Sequence, residues 1–282
     1  MRADTGMSVR PATGYSAGMP CWADLASPDF AASKAFYRDV FGWDSYTLTL
    51  DRLGDYEIFT IEGPDGPRVA GMQPLPDDTE EPSWTSFFMV EDVDATARAV
   101  RAGGGQDLAD PVEVGQLGRM SFLADPEGAD FGVWQRYGSE PSAEGPIEPR
   151  TMCWAELASH DPGAARRFYG EVFGWSEVAR DDSDPAHTDW RIGDSAVAGM
   201  VDSDEYGPAE PPHWVPYFEV DDCDAATGLA ADLGAGIRIP PSDVLPGRHA
   251  VIADPTGAEL GLLAPSSRAR SRGRGGRGRG LL

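Results

Sequence analysis

Residues 21–43 read CWADLASPDFAASKAFYRDVFGW, and residues 153–175 read CWAELASHDPGAARRFYGEVFGW. Each copy opens on a short apolar run of strand length. It then passes through an aspartate suited to capping a helix and continues with aromatic and aliphatic residues at helical spacing. In the second copy Asp161 is the N-cap, Pro162 suits the first helical position, and Phe168, Tyr169, Val172 and Phe173 mark one face before Gly174 ends the run. The first copy repeats this from Asp29 to Gly42.

The duplication extends through the body of the chain. VAGM at Val69 returns at Val197, PSWTSFFMVEDVDA at Pro82 returns as PHWVPYFEVDDCDA at Pro212, and GRMSFLADPEGADFG at Gly118 returns as GRHAVIADPTGAELG at Gly247. The order is unchanged and the offset stays between 128 and 132 residues, so the halves are full-length copies. Within the first half, SYTLTL, YEIFTI and RVAGM read as strands. WTSFFMV then starts a second round: strand, the helix DATARAVRAGG, and strands RMSFLA and DFGVW joined by a type I turn at Asp125-Pro126-Glu127-Gly128. Each half thus holds two β-α-β-β-β units, and the fold class is α+β. The expected boundaries are a flexible leader at 1–18, a first domain at 19–137, a polar, proline-containing linker at 138–150, a second domain at 151–264, and an arginine/glycine tail at 265–282.

Composition narrows the function classes. The chain has 282 residues, 41% hydrophobic and 25% charged, with a formal net charge of −24. Such a charge opposes binding of the body to nucleic-acid phosphates. The tail, with arginine interleaved by glycine and no aromatic for base stacking, is expected to be disordered and to make weak polyanion contacts at most. No run approaches the roughly 20 apolar residues of a membrane span, and the N-terminus lacks the apolar core of a secretory signal. Cys21, Cys153 and Cys223 fit neither a zinc spacing nor a CxxC motif and are expected to be small buried residues. A cytoplasmic protein, monomeric or homodimeric, is the expectation.

The sequence of motifs, FY..VFGW after the first strand, V.D.DA opening the second helix and ADP.GA near the end, occurs twice. It resembles the vicinal oxygen chelate superfamily, which includes glyoxalase I, bleomycin-resistance proteins, fosfomycin-resistance enzymes and extradiol dioxygenases. The tandem arrangement is most similar to the two-domain actinobacterial members described as glyoxalase-like or hydroxylase-like. The resemblance implies that two β-α-β-β-β units join their sheets into a cup that holds the ligand, with helices outside.

It also implies where a metal would sit. Members that use a divalent ion hold it with His and Glu side chains at four strand positions. Here those positions fall on Trp22, Thr85, Gly132 and, with a less certain alignment, Gly71 in the first half. In the second they fall on Trp154, Val215, Gly261 and Gly199. Indole, glycine and valine are not ligands. No metal and no other cofactor is expected.

Alternation along strands gives the residues expected to face each cup. The first should present Trp22, Asp24, Thr85, Phe87, Met89, Asp130 and Trp134. The second should present Trp154, Glu156, Val215, Tyr217, Glu219 and Glu259. An aromatic base with one or two acidic groups suits a flat or cationic organic ligand. His249 is the general acid or base candidate by residue type, with Glu219 or Glu259 as its partner. Arg119 and Arg248, at matching positions, either hold an anionic group or form surface ion pairs.

The leading expectation is a metal-independent protein that binds a small aromatic or cationic molecule, in secondary-metabolite biosynthesis or resistance by sequestration, with or without catalysis. A metal-dependent glyoxalase-like lyase or dioxygenase is the first alternative. A non-catalytic protein-interaction module whose cups are filled by their own aromatics is the second.

Overall fold

The computed structural model describes residues 15–50, 54–75, 81–138, 150–179, 187–203, 211–244 and 247–266. Most of the leader and linker and nearly all of the arginine/glycine tail lie outside these residues. The first half runs β1 (Pro20–Ser27), α1 (Phe30–Phe41), β2 (Asp44–Leu50), β3 (Gly54–Thr60) and β4 (Arg68–Pro74). It continues with β5 (Ser83–Met89), α2 (Val93–Ala102), β6 (Gln106–Asp107), β7 (Val112–Val114), β8 (Gly118–Ala124) and β9 (Asp130–Arg136). The second half repeats this as β10 (Met152–Ser159), α3 (Pro162–Phe173), β11 (Ser176–Ala179), β12 (Thr188–Ile192), β13 (Ser195–Asp202), β14 (His213–Glu219), α4 (Cys223–Asp232), β15 (Gly236–Val244), β16 (Gly247–Ala253) and β17 (Glu259–Pro265).

Local chemistry sets the helix ends. The Asp29 carboxylate accepts from the Ala31 and Ala32 amides to start α1, and Gly42 closes it in the left-handed region at φ 69°. Asp161 and Gly174 do the same for α3, with Pro162 in the first turn. The Asp125 turn closes through Gly128, whose N–H donates to the Asp125 carbonyl at 3.1 Å.

Each half forms one mixed sheet, so the two units of a half pair with each other and not across halves. The first sheet runs β2-β3-β4-β1-β5-β9-β8-β6, with β7 also on β8. The second runs β11-β12-β13-β10-β14-β17-β16-β15. At the centre of each, the opening strands of the two units lie antiparallel, with Trp22 opposite Phe87 and Trp154 opposite Tyr217. The structure is a pair of curled half-barrels with four helices among the described residues.

One face of each sheet goes into a core shared by both halves. Ala23, Leu25, Trp84 and Phe88 of the first half join Ala155, Leu157, Trp214 and Phe218 of the second in a single buried cluster. The FY and FGW motifs supply its aromatic stack. Trp43 packs edge-on to Phe218 at 5.1 Å between ring centroids, and Phe88 packs on Trp214 at 4.9 Å. Two reciprocal hydrogen bonds lock the halves together. Tyr37 donates to Asp254 at 2.7 Å, and its counterpart Tyr169 donates to Asp125 at 3.0 Å. Burial and the adjacent carboxylate push both phenols well above their ordinary range, so they remain protonated donors. The doubled stretch is therefore the seam of a pseudo-twofold pair, which leaves the opposite face of each sheet as the concave one.

Candidate functional site

On the concave face of the first sheet, Trp22, Asp24, Tyr56, Ile58, Arg68, Phe87, Val114, Leu117, Met120 and Trp134 line a cleft. Its free space, the solvent-open mouth included, is about 620 Å³. Its chemistry is mostly apolar and aromatic, with polar groups at three places.

The inner polar group is Asp24, 3% exposed. The Trp22 Nε1–H donates to Asp24 Oδ1 at 2.7 Å, and the Tyr56 hydroxyl makes a very short hydrogen bond to the same oxygen. Burial outweighs these two stabilising donors and pushes the carboxyl up to about 6. The Tyr56 phenol is raised well above its ordinary range by burial and by Asp24.

Gly71 makes this arrangement possible. It lies directly beside Asp24, on β4, and a Cβ there would fall 1.7 Å from the Tyr56 hydroxyl and 2.2 Å from Asp24 Oδ1. The space a side chain would fill holds the Asp24–Tyr56 pair. Gly132 is similar: a Cβ would fall 2.3 Å from the Phe87 ring, which lies flat over it. Two of the four positions where the family's metal ligands would stand are thus covered by neighbouring groups. Trp22 and Thr85 occupy the others. The residues present do not fit a divalent ion, and among the described residues no group of three His, Cys, Asp or Glu side chains could hold one.

The outer polar group is Arg68. A bulge in the β3–β4 ladder, where Thr60 pairs with Arg68 and Phe59 with Ala70, turns Arg68 into the cleft. Its guanidinium lies 5.9 Å from the centre of the Tyr46 ring, and among the described residues it has no carboxylate in ion-pair range. The Trp134 Nε1–H is a third polar feature, buried and without a hydrogen-bond acceptor among the described residues.

Trp22, Asp24, Phe87 and Trp134 are therefore brought together as expected. Met89 is on the same face, buried with Cys21, Phe87 and Met120. Thr85, which pairs with Asp24 across the β1–β5 ladder, and Asp130 are outside the cleft lining. Burial raises the Asp130 carboxyl, while His213 and a hydrogen bond from Thr85 act in the opposite direction.

The second cup is built differently. Trp154, Val215 and Tyr217 are buried in a cluster with Cys153, Ala196, Val251 and Leu263, and Tyr217 donates to Glu156 at 3.0 Å. The register places His187 where the first half has Tyr56, and Ala196 where it has Arg68. Leu263 replaces Trp134. As in the first half, an aromatic ring covers the glycine of the last strand, a Cβ at Gly261 falling 2.1 Å from Tyr217.

The three acid/base candidates of the second half do not form one constellation. His249 stacks on Tyr217, with ring centroids 6.1 Å apart. Glu219 is buried on β14, beside Leu263, and His249 pairs with Leu263 from the other side. Two strand spacings, roughly 10 Å, therefore separate them. Glu259 lies at the far end of β17, paired with Arg238 at 2.6 Å. Arg119 and Arg248 form surface ion pairs, with Asp94 and Glu113 and with Asp224 and Asp243 respectively.

Sequence reading missed Tyr56 and Arg68 among the polar lining residues, and Ile58, Val114, Leu117 and Met120 among the apolar ones. Tyr56 shares the phase of Ile58 along YEIFTI and was accessible by alternation. The phase of Arg68 is reversed by the bulge and was not.

The family model of the Glyoxalase/Bleomycin resistance protein/Dioxygenase superfamily matches residues 21–133 and again 151–262. The chain belongs to this superfamily. It is 37% identical over 260 residues to the anthracycline biosynthesis protein DnrV of Streptomyces peucetius, covering 87% of this chain and 93% of that one. Among solved structures, the Mn(II)-bound glyoxalase from Novosphingobium aromaticivorans superposes with a TM-score of 0.58 at 18% identity, over 89% of this chain and 83% of that one. The 2,3-dioxygenase LapB from Pseudomonas sp. KL28 gives 0.58 at 16%, over 90% and 93%. At these identities the two structures support the fold and carry no chemistry across. Among the described residues no helix is long and apolar enough to cross a membrane.

Proposed function

We propose that the first half binds a planar aromatic small molecule without a metal ion, and that the second half is its structural counterpart. The observation that carries this reading is the cleft itself: Trp22, Phe87 and Trp134 as walls, Asp24 at the inner end and Arg68 at the mouth. Aromatic walls favour a flat ring system by stacking. The partnerless indole N–H and the guanidinium favour ring carbonyls or an anionic group and disfavour a cation, which makes the aromatic class the better candidate of the two expected. The likeness to a protein named for anthracycline biosynthesis supports aromatic secondary metabolites as the first class to test. The donor chemistry of Trp22, Gly71, Thr85 and Gly132 supports metal independence.

The test is a titration with 1,8-dihydroxyanthraquinone, a flat hydroxylated ring system with carbonyls, followed by tryptophan fluorescence. The expected result is saturable quenching at one molecule per chain that is lost in Trp22→Ala and Arg68→Ala and kept in Glu156→Gln. Equal loss in all three variants, or two equivalents bound per chain, would contradict a site confined to the first half.

A further inference from the structure

The two oxygens of Asp24 are used unequally. Oδ1 accepts both the Trp22 indole N–H and the Tyr56 hydroxyl, whereas no donor among the described residues reaches Oδ2. No cation among the described residues lies in ion-pair range of the carboxylate. A carboxylate kept in a fold for its structural bonds normally has both oxygens satisfied once it is buried. Here the carboxyl group lines the cleft, held in orientation through one oxygen and presenting the other to whatever the cleft contains. From this geometry we propose that Asp24 is a general base that abstracts a proton from the bound ligand, which makes the first cup a centre for redox-neutral proton transfer next to a carbonyl. The proposal rests on the binding reading above and adds a reaction to it.

The step balances within the ligand. Asp24 Oδ2 takes a proton from a carbon adjacent to a ring carbonyl, and the C–H electron pair moves into the carbonyl to leave an enolate oxygen. Arg68, on the same wall and with no carboxylate partner of its own among the described residues, is the charge available to that oxygen. Arg68 enters β4 three residues before Gly71, the partner of Asp24. That is ~8–10 Å of bulged strand, a span that a bicyclic or tricyclic ligand and an arginine side chain can bridge. The proton then returns from Oδ2 to the enolate oxygen or to a conjugated carbon of the same molecule, giving its tautomer. No oxidant, reductant or second substrate is consumed. The groups facing Asp24 are Tyr56 from β3 and Arg68 from β4. β5 presents only Thr85 and Phe87, and Asp130 on β9 lies beyond Thr85. Burial that raises the carboxyl to about 6 makes it a stronger base than an exposed aspartate and still leaves it ionised at neutral pH.

The experiment uses 2-tetralone, a bicyclic aromatic ketone with exchangeable protons beside its carbonyl. Their replacement by deuterium in D₂O is followed by proton NMR, with binding measured in parallel by tryptophan quenching. The full-length protein should accelerate exchange at least tenfold over buffer, with a rate that rises with pH through about 6. Asp24→Asn should lose the acceleration even with 2-tetralone held at a concentration that saturates its quenching of that variant. Tyr56→Phe, which removes a donor that lowers the carboxyl pKa, should move the midpoint of the profile upward. Glu156→Gln in the second cup should behave as the parent. Quenching without acceleration overturns the proposal and leaves the binding reading intact. Acceleration that survives Asp24→Asn or disappears in Glu156→Gln assigns the base elsewhere and also overturns it. Absence of quenching by both 2-tetralone and 1,8-dihydroxyanthraquinone removes the proposal and the binding reading together.

Discussion

Replacing Asp24 by asparagine should stabilise the protein, and by an amount that depends on pH. An ordinary aspartate ionises at 3.8, and Asp24 is pushed up to about 6, first by burial and against the pull of Tyr56 and Trp22. Below pH 3.8 the carboxyl is protonated in the folded and the unfolded chain alike. Between there and pH 6 the unfolded chain ionises while the folded chain keeps its proton, so stability falls as pH rises through this window. Above pH 6 both are ionised and the fold carries the full burial penalty. At 1.36 kcal/mol per tenfold change in proton affinity, the gap is worth ~3 kcal/mol, about half of which has accrued by pH 5. Asparagine keeps an oxygen for Tyr56 and Trp22 and never ionises. Urea unfolding of parent and Asp24→Asn should therefore show the variant more stable by ~3 kcal/mol at pH 8 and by about half as much at pH 5. A variant less stable than the parent at pH 8, or a difference that does not change with pH, would refute a buried carboxylate held at an energetic cost. A gain in stability together with a loss of proton transfer would identify Asp24 as a residue kept for its chemistry.

Other substitutions probe the site and the seam. Gly71→Ala should weaken 1,8-dihydroxyanthraquinone binding at least tenfold by fluorescence titration, because the new methyl overlaps the Tyr56 hydroxyl and Asp24. Trp154→Ala should lower unfolding free energy by ~3–5 kcal/mol, as expected for emptying a buried aromatic site, and leave that affinity within threefold. A double-mutant cycle of Tyr37→Phe and Asp254→Asn should show a coupling of ~1–2 kcal/mol in chemical unfolding, since the bond is buried and ties the halves together. No coupling would mean that this bond does not help to hold the halves together.

Much of this architecture was legible before any coordinates. The caps at Asp29 and Asp161, the closing glycines and the type I turn at Asp125 are local chemistry, and local chemistry is written in neighbouring residues. The faces of β1 and β5 were also readable, because Trp22 and Asp24 alternate with Ala23 and Leu25, and Phe87 alternates with Trp84 and Phe88. Three features were not legible, each for a non-local reason. That the FY and FGW motifs bind the two halves together depends on how two sheets stack, which no spacing within one copy reveals. Arg68 is turned inward by a single extra residue in its ladder, which reverses the phase that alternation assumes. The choice between the cups rests on a few paired differences, Tyr56 against His187 and Arg68 against Ala196, whose meaning appears only once Asp24 and Glu156 are seen with their partners. The emphasis on His249 followed residue type alone. Its place in the structure, stacked on Tyr217 and two strands from Glu219, depends on pairings that residue type does not reveal.

The measurement that bears most directly on the central claim is the 1,8-dihydroxyanthraquinone titration repeated on protein treated with a chelator, with divalent metals counted by elemental analysis before and after. The account predicts less than about 0.1 equivalent of metal per chain after treatment and an unchanged dissociation constant at one site. Binding that vanishes with the metal, and returns when nickel, zinc, iron or manganese is restored, would contradict it.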